Sequence, residues 1–379
     1  MTNNNLMMIA GEISGDLHGA SLIKELKKLD QGINIFGIGG DKMQDAGMQI
    51  TFHINRMAFL GFVEVVKHIP FIKKVQRKLL ELVKAKNINT VVLIDYPGFN
   101  LSIAKKLKRL NVKIVYYISP QIWAWGSARI NKIKKLVNKM LVVFPFEESL
   151  YSNQNVDVEF VGHPLLERLK EYDFLSKENL FEKYDLDRNK EILLILPGSR
   201  EQEVKHIFPE VIKAAVKLAG EFNLQVITAC SSNIDENLFY KITEVGNFKV
   251  IKSDTYNLLK NSKFGIVKSG TSTLEAGLFQ LPMVIVYKTS ISTYWIGKSL
   301  IRVDQIGMAN IICGEKVVPE LIQNQVREKT IYEECKKILA DKKLYETIKN
   351  KFGLIKEKLG TVGASAKAAL LIHKIMNEI

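Results

Sequence analysis

Cysteine is scarce in this 379-residue chain: Cys230, Cys313 and Cys335 stand far apart and are odd in number. No disulfide framework or thiolate metal site fits that spacing, so reduced thiols in a cytosolic protein are expected. No apolar run approaches the roughly 18 residues needed to span a bilayer. The opening MTNNNLMMIAGE lacks the basic region and long apolar core of a secretory leader, and none is expected. The six histidines never pair at metal-ligand spacing. Fixed-period repeats and low-complexity tracts are also missing. The most informative shortage is of acids. Between Arg56 and Lys139 there are 18 Lys and Arg against Glu64, Glu81 and Asp95, an excess of 15 in a protein whose whole net charge is +14. Such a footprint suits phosphorylated substrates, an anionic membrane surface or nucleic acid. No helix-turn-helix, zinc-finger or RNA-binding sheet signature accompanies it, so a nucleic-acid partner is not expected.

What the chain has in quantity is short, dense apolar runs. LMMIA (6–10), INIFGI (33–38), TVVLID (90–95), VKIVYYI (112–118), KMLVVF (139–144) and VEFVG (158–162) read as strands separated by helical periodicity. The pattern restarts after about residue 190 with EILLIL, LQVITA, FKVI, FGIVKS and MVIVY. Runs this uniformly apolar belong to parallel strands covered on both faces, and two successive βαβ series predict two doubly wound α/β domains. The polar stretch 170–190 is the expected junction, and the chain from about Glu320 reads as helical.

Several loops at predicted strand ends carry unusual residues, and that is where doubly wound sheets bind ligands. GEISGD (11–16) sets Glu12, Ser14 and Asp16 between two glycines, without dinucleotide-fingerprint spacing. IDYPGFN (94–100) leaves Asp95 at the end of an apolar strand, where partial desolvation raises a carboxylate's basicity and suits a general base; an N-cap is the alternative. ISPQIWAWG (118–126) alternates Trp123 and Trp125, so one can be core while the other lines a cleft. VGHP places His163 after a strand. LPGSR (196–200) runs from a strand into a helix, where Gly198 allows close approach, helix N–H groups face outward and Arg200 offers a fork for phosphate oxygens. SGTSTLEAG (269–277) repeats that arrangement, with Gly270 and Thr271 at a helix start and Glu275 one turn deeper, able to accept two ribose hydroxyls.

Taken in order with FVGHPLLE and MANIICG, these motifs make the chain resemble the lipid-A-disaccharide synthase family over nearly its whole length. The resemblance implies an inverting GT-B glycosyltransferase with two Rossmann-like domains, a ligand cleft between them and a helical C-terminus. It implies UDP-2,3-diacylglucosamine as donor and 2,3-diacylglucosamine 1-phosphate (lipid X) as acceptor, with no cofactor and no metal. The family's polar positions fall on Glu12, Ser14, Asp16, Asp95, Asn100, Arg200, Ser269, Gly270, Thr271, Glu275 and Asn310. Gly198 and Ser199 complete the donor loop; Trp123, Trp125 and His163 are assigned to the acceptor cleft. Asp95 is the expected base, with Glu12 its rival. Two departures stand out: Gly98 replaces an Asp common in the family, and Lys268 replaces a small residue before SGT.

The expected domains are 1–168 for the acceptor and membrane, 169–345 for the UDP-sugar, and 346–379 as helices packing back on the first. Acylated substrates give meaning to the apolar MAFLGFV, in which Met57, Phe59, Leu60, Phe62 and Val63 form a candidate acyl patch. The segment that follows carries Ile72, Val75, Leu79, Leu82 and Val83 on one helical stripe with basic residues elsewhere. Peripheral attachment to an anionic inner-membrane surface from the cytoplasm is expected, and a homodimer stays open. The competing readings are another UDP-N-acetylglucosamine-using enzyme, transferase or epimerase, and a non-catalytic nucleotide-binding scaffold.

Overall fold

The computed structural model describes residues 4–57, 68–120, 122, 129–289 and 305–378. The contacts divide the chain into two compact units, Met1–Glu171 with Leu359–Ile379, and Tyr172–Lys358.

The first unit holds seven strands: β1 (Asn5–Ala10), β2 (Asn34–Gly39), β3 (Gln49–His53), β4 (Thr90–Ile94), β5 (Lys113–Tyr117), β6 (Lys139–Val142) and β7 (Val158–Phe160). They pair in the order β3-β2-β1-β4-β5-β6-β7, every pair parallel. The second unit holds β8 (Glu191–Leu196), β9 (Leu224–Cys230), β10 (Phe248–Lys252), β11 (Ser262–Lys268), β12 (Met283–Tyr287) and β13 (Glu320–Ile322). Its order is β10-β9-β8-β11-β12-β13, again all parallel. Met7, Met8 and Ile9 of β1 and Ile192 to Ile195 of β8 are fully buried, as a sheet covered by helices on both faces requires.

Strand order reverses between β1 and β4 in the first unit and between β8 and β11 in the second. At such a reversal the helices on either side diverge, leaving a crevice at the strands' carboxyl ends. GEISGD and IDYPGFN lie at one reversal; LPGSR and KSGTSTLE lie at the other.

Two strands depart from the sequence reading. β3 is an edge strand too short and mixed to stand out, and β13 lies where helix was expected, three residues paired only with β12. The division of the chain also differs from the expected one. The helices Lys342–Gly353 and Ile355–Lys358 belong to the second unit, because Ile348, Phe352 and Ile355 are buried there; a methyl at Gly277 would come within 2.6 Å of Ile355. Only from Leu359 does the chain rejoin the first unit. His163 donates its backbone N–H to the Leu359 carbonyl (3.2 Å), and Glu167 accepts the Ser365 N–H (2.7 Å) and hydroxyl (2.6 Å) at the start of the helix Ala364–Asn377. That helix packs on Ile13–Leu29.

Candidate functional site

At the first reversal the chain leaving β4 turns sharply. Asp95 and Tyr96 are both left-handed, with φ of 44° and 45°, an uncommon conformation for side chains with a Cβ. Surrounding bonds hold it. The Asp95 carbonyl accepts the Tyr116 hydroxyl (2.5 Å) and the Asn100 amide (2.7 Å), while the Tyr96 hydroxyl donates to the Met57 carbonyl (2.9 Å). The Tyr96 ring covers Gly11, where any side chain would run into it. One strand over, Ile118 is also left-handed at 64°, so unfavourable backbone gathers at the ends of β4 and β5. Strain of this kind persists where the surroundings over-determine it, and it clusters at functional sites.

The kink fixes the Asp95 carboxyl in a mostly buried position. Burial, then the neighbouring Glu12 carboxylate, push its pKa from 3.8 up to about 6, against a lesser opposing bond from the Tyr96 backbone. Glu12 itself is exposed at the start of the helix Ile13–Leu29, caps nothing, and also helps raise the Tyr96 phenol after burial. Two carboxylates are thus brought together from the loops after β1 and β4, one shielded and one wet. Ser14 is exposed on the same first turn.

The other acceptor-side residues have different work. Asp16 is buried and accepts the backbone N–H groups of Gly40 (2.7 Å), Lys42 (3.1 Å) and Met43 (3.1 Å), so it caps the helix Asp41–Asp45. Asn100 is fully buried and acts through the Ile94 and Asp95 carbonyls, shaping the kink from beneath. His163 is a packing residue: it lies 5.1 Å from the Phe144 ring, accepts the Leu165 N–H, and is pushed down to about 3 by burial and Arg168. The buried imidazole is neutral and stands where the C-terminal segment returns. Met57 is fully buried in the core of the first unit and is no part of an exposed patch. Phe59, Leu60, Phe62, Val63, Trp123 and Trp125 lie outside the described residues.

At the second reversal Arg200 is exposed and precedes the helix Glu201–Glu221. Gly198 has φ of 126°, and a methyl there would come within 2.5 Å of Glu203. Glu203, on the first turn of that helix, accepts the Ser199 N–H (3.1 Å) and Lys268 (2.8 Å), with the Arg200 guanidinium 4.0 Å away. The glycine therefore admits the chain's own carboxylate as well as any ligand. Across from it, Gly270 (φ 150°) opens the helix Thr271–Leu278, whose first turn carries no capping side chain. Its leading N–H groups can meet an anion. Glu275 sits partly buried one turn in and accepts the Tyr256 hydroxyl (3.1 Å).

Two donor-side residues have partners within the fold. Ser269 is buried and donates its hydroxyl to the Ile306 carbonyl (2.7 Å). Asn310 is fully buried with both ends of its amide engaged: it donates to the Val318 carbonyl and Glu320 and accepts from Val317 and Val318. Both hold the loops around β12 and β13 in place. Sequence reading passed over Tyr96 and Tyr256, whereas Glu203, an acid at the third helical position beyond the loop, was legible as a partner for Arg200. Among the described residues no group of His, Cys, Asp or Glu comes together as a metal site.

A family model described as lipid-A-disaccharide synthetase matches residues 6–373. The lipid-A-disaccharide synthase of Geobacter sulfurreducens is 37% identical over 380 aligned residues, spanning 100% of this chain and 98% of its own. That of Coxiella burnetii is 37% identical over 99% of this chain and 100% of its own. Among solved structures, the UDP-GlcNAc 2-epimerase of Neisseria meningitidis bound to UDP-GlcNAc superposes with a TM-score of 0.68 at 12% identity, covering 99% of this chain and 100% of that one. The calicheamicin glycosyltransferase gives 0.61 at 13%, over 99% and 98%. At such identities these structures speak to fold alone: two parallel-sheet α/β units of the GT-B kind.

Proposed function

Since the chain belongs to the lipid-A-disaccharide synthase family, we propose that it joins UDP-2,3-diacylglucosamine to 2,3-diacylglucosamine 1-phosphate, giving tetraacyl disaccharide 1-phosphate and UDP. The observation that carries the mechanism is the Asp95 carboxyl, partly buried on a strained kink beside Glu12 with its pKa raised to about 6. A base of that strength is ionised at neutral pH yet basic enough to take up a proton. In the proposed step Asp95 takes the proton of the acceptor's primary hydroxyl. The oxygen bonds to the donor's anomeric carbon as the bond from that carbon to the diphosphate oxygen breaks, inverting the centre and releasing UDP. Arg200 and the start of the helix Thr271–Leu278 offset the charge growing on the diphosphate, and Glu275 accepts ribose hydroxyls. Glu12 keeps Asp95 basic through its negative charge, so its removal acts through Asp95.

Both substrates carry acyl chains, and we place the reaction at the anionic cytoplasmic face of the inner membrane. The support is electrostatic. On the helix Ile69–Ala85 the apolar stripe of Val75, Leu79 and Val83 is buried in the core, while Lys73, Lys74, Arg77 and Lys78 are exposed. Among the described residues no helix is long and apolar enough to cross a membrane. The test is an incubation with both diacyl sugars, read by mass spectrometry. Disaccharide formation only when donor and acceptor are both present supports the reading. Epimerised donor, or UDP binding without turnover, overturns it.

A further inference from the structure

Glu203 stands where a diphosphate site should be purely electropositive. Its side chain is only 17% exposed, as is that of Lys268 at 18%, and the two meet at 2.8 Å. One oxygen of Glu203 accepts the Ser199 N–H from the loop after β8; the other takes Lys268 from the end of β11. The pair therefore ties together the two loops at the strand-order reversal, and Arg200 approaches the same carboxylate at 4.0 Å. Lys268 also lies over the Tyr287 ring (5.8 Å), and its ammonium is the nearest atom to the open side of Gly270, 3.8 Å from where a Cβ would be.

We propose that Glu203 is a positioning residue for the donor diphosphate, spacing the 197–200 loop against the start of the helix Thr271–Leu278, and that Lys268 exists to cancel its charge. The inference rests on the nucleotide-sugar reading above. An acid beside a diphosphate is tolerable only while a cation neutralises it; a shielded, unpaired carboxylate would repel the ligand strongly. Lys268 supplies that neutralisation from the adjacent strand, which gives a reason for a lysine at this position. The bond to the Ser199 N–H depends on an acceptor oxygen and not on charge, so an amide can keep the geometry while removing the repulsion.

The experiment is calorimetric titration of UDP into the full chain and three near-isosteric variants, Lys268→Met, Glu203→Gln and the double variant, each checked for folding by thermal melt. Lys268→Met is expected to weaken UDP binding tenfold or more. Glu203→Gln alone should bind at least as tightly as wild type, and adding it to Lys268→Met should recover most of the lost affinity. Such a rescue is a sign-specific coupling that a merely structural pair would not produce. Lys268→Met binding UDP like wild type overturns the proposal, and so does a double variant as weak as Lys268→Met. A wild-type chain that does not bind UDP overturns the nucleotide-sugar reading itself and this inference with it.

Discussion

Asp95 combines a backbone conformation that asparagine tolerates well with a partly buried charge that asparagine lacks. Asp95→Asn should therefore fold, bind UDP nearly normally and lose kcat by on the order of 10² to 10⁴. The wild-type rate should fall on the acid side of about pH 6, where the carboxyl protonates, and that limb should be missing from the variant's residual activity. Glu12→Gln should move the limb to lower pH by removing the repelling charge. If Glu12→Gln abolishes turnover while Asp95→Asn spares it, the two roles are reversed. Stability carries the same signature. The folded pKa is above the unfolded 3.8, so stabilisation is complete below pH 4 and lost as pH rises through 6. Denaturant titrations should show wild type losing on the order of 3 kcal/mol across that window relative to Asp95→Asn. Arg200 and Asn310 should fail differently. Arg200→Ala should cost about 2–4 kcal/mol in donor kcat/KM with the melting temperature unchanged. Asn310→Ala strands two backbone N–H groups and should lower stability by about 2–4 kcal/mol while leaving UDP affinity in the folded protein alone. An intact melt with lost affinity would return Asn310 to the donor site.

At the level of elements, the dense apolar runs of β1, β4, β8 and β11 were legible because strands buried on both faces admit little else. β3 and β13 escaped because edge strands are short and mixed. The reactive loops were legible because they follow those central strands. What their polar residues do there was less so: Asp16 and Ser269 bond to backbone distant in sequence, Asn100 and Asn310 to backbone of nearby turns, and spacing cannot tell such anchors from ligand-binding groups. The helix Ile69–Ala85 teaches the same lesson in reverse. Its stripe looked equally suited to membrane and core, and Val75, Leu79 and Val83 pack into the core, leaving a mostly charged outer face. Replacing Lys73, Lys74, Arg77 and Lys78 by glutamate should leave the melt unchanged and abolish salt-sensitive flotation with anionic vesicles, at about 1 kcal/mol per cation. Vesicle binding that survives the reversal would remove this face from the attachment.

Across the whole molecule, the second unit is one continuous stretch, Tyr172–Lys358, whereas the first is assembled from both ends of the chain. A fragment of residues 172–358 should fold cooperatively and bind UDP within about tenfold of the full chain, since its core and loops are self-contained. A fragment of residues 1–171 should not, because Leu22, Ile23 and Leu26 lie on the helix that Ala364–Asn377 covers. Proteolysis and calorimetry on the two fragments would test this; a stable 1–171 fragment would contradict it. The discontinuity also sets an order of events on the ribosome. Translation at 5–20 residues per second leaves roughly 10–40 s between the emergence of residue 171 and that of residue 359. Throughout that interval the nascent first half must wait with an apolar face uncovered. The first unit's sheet is thus complete long before the last-made helix arrives to cover it.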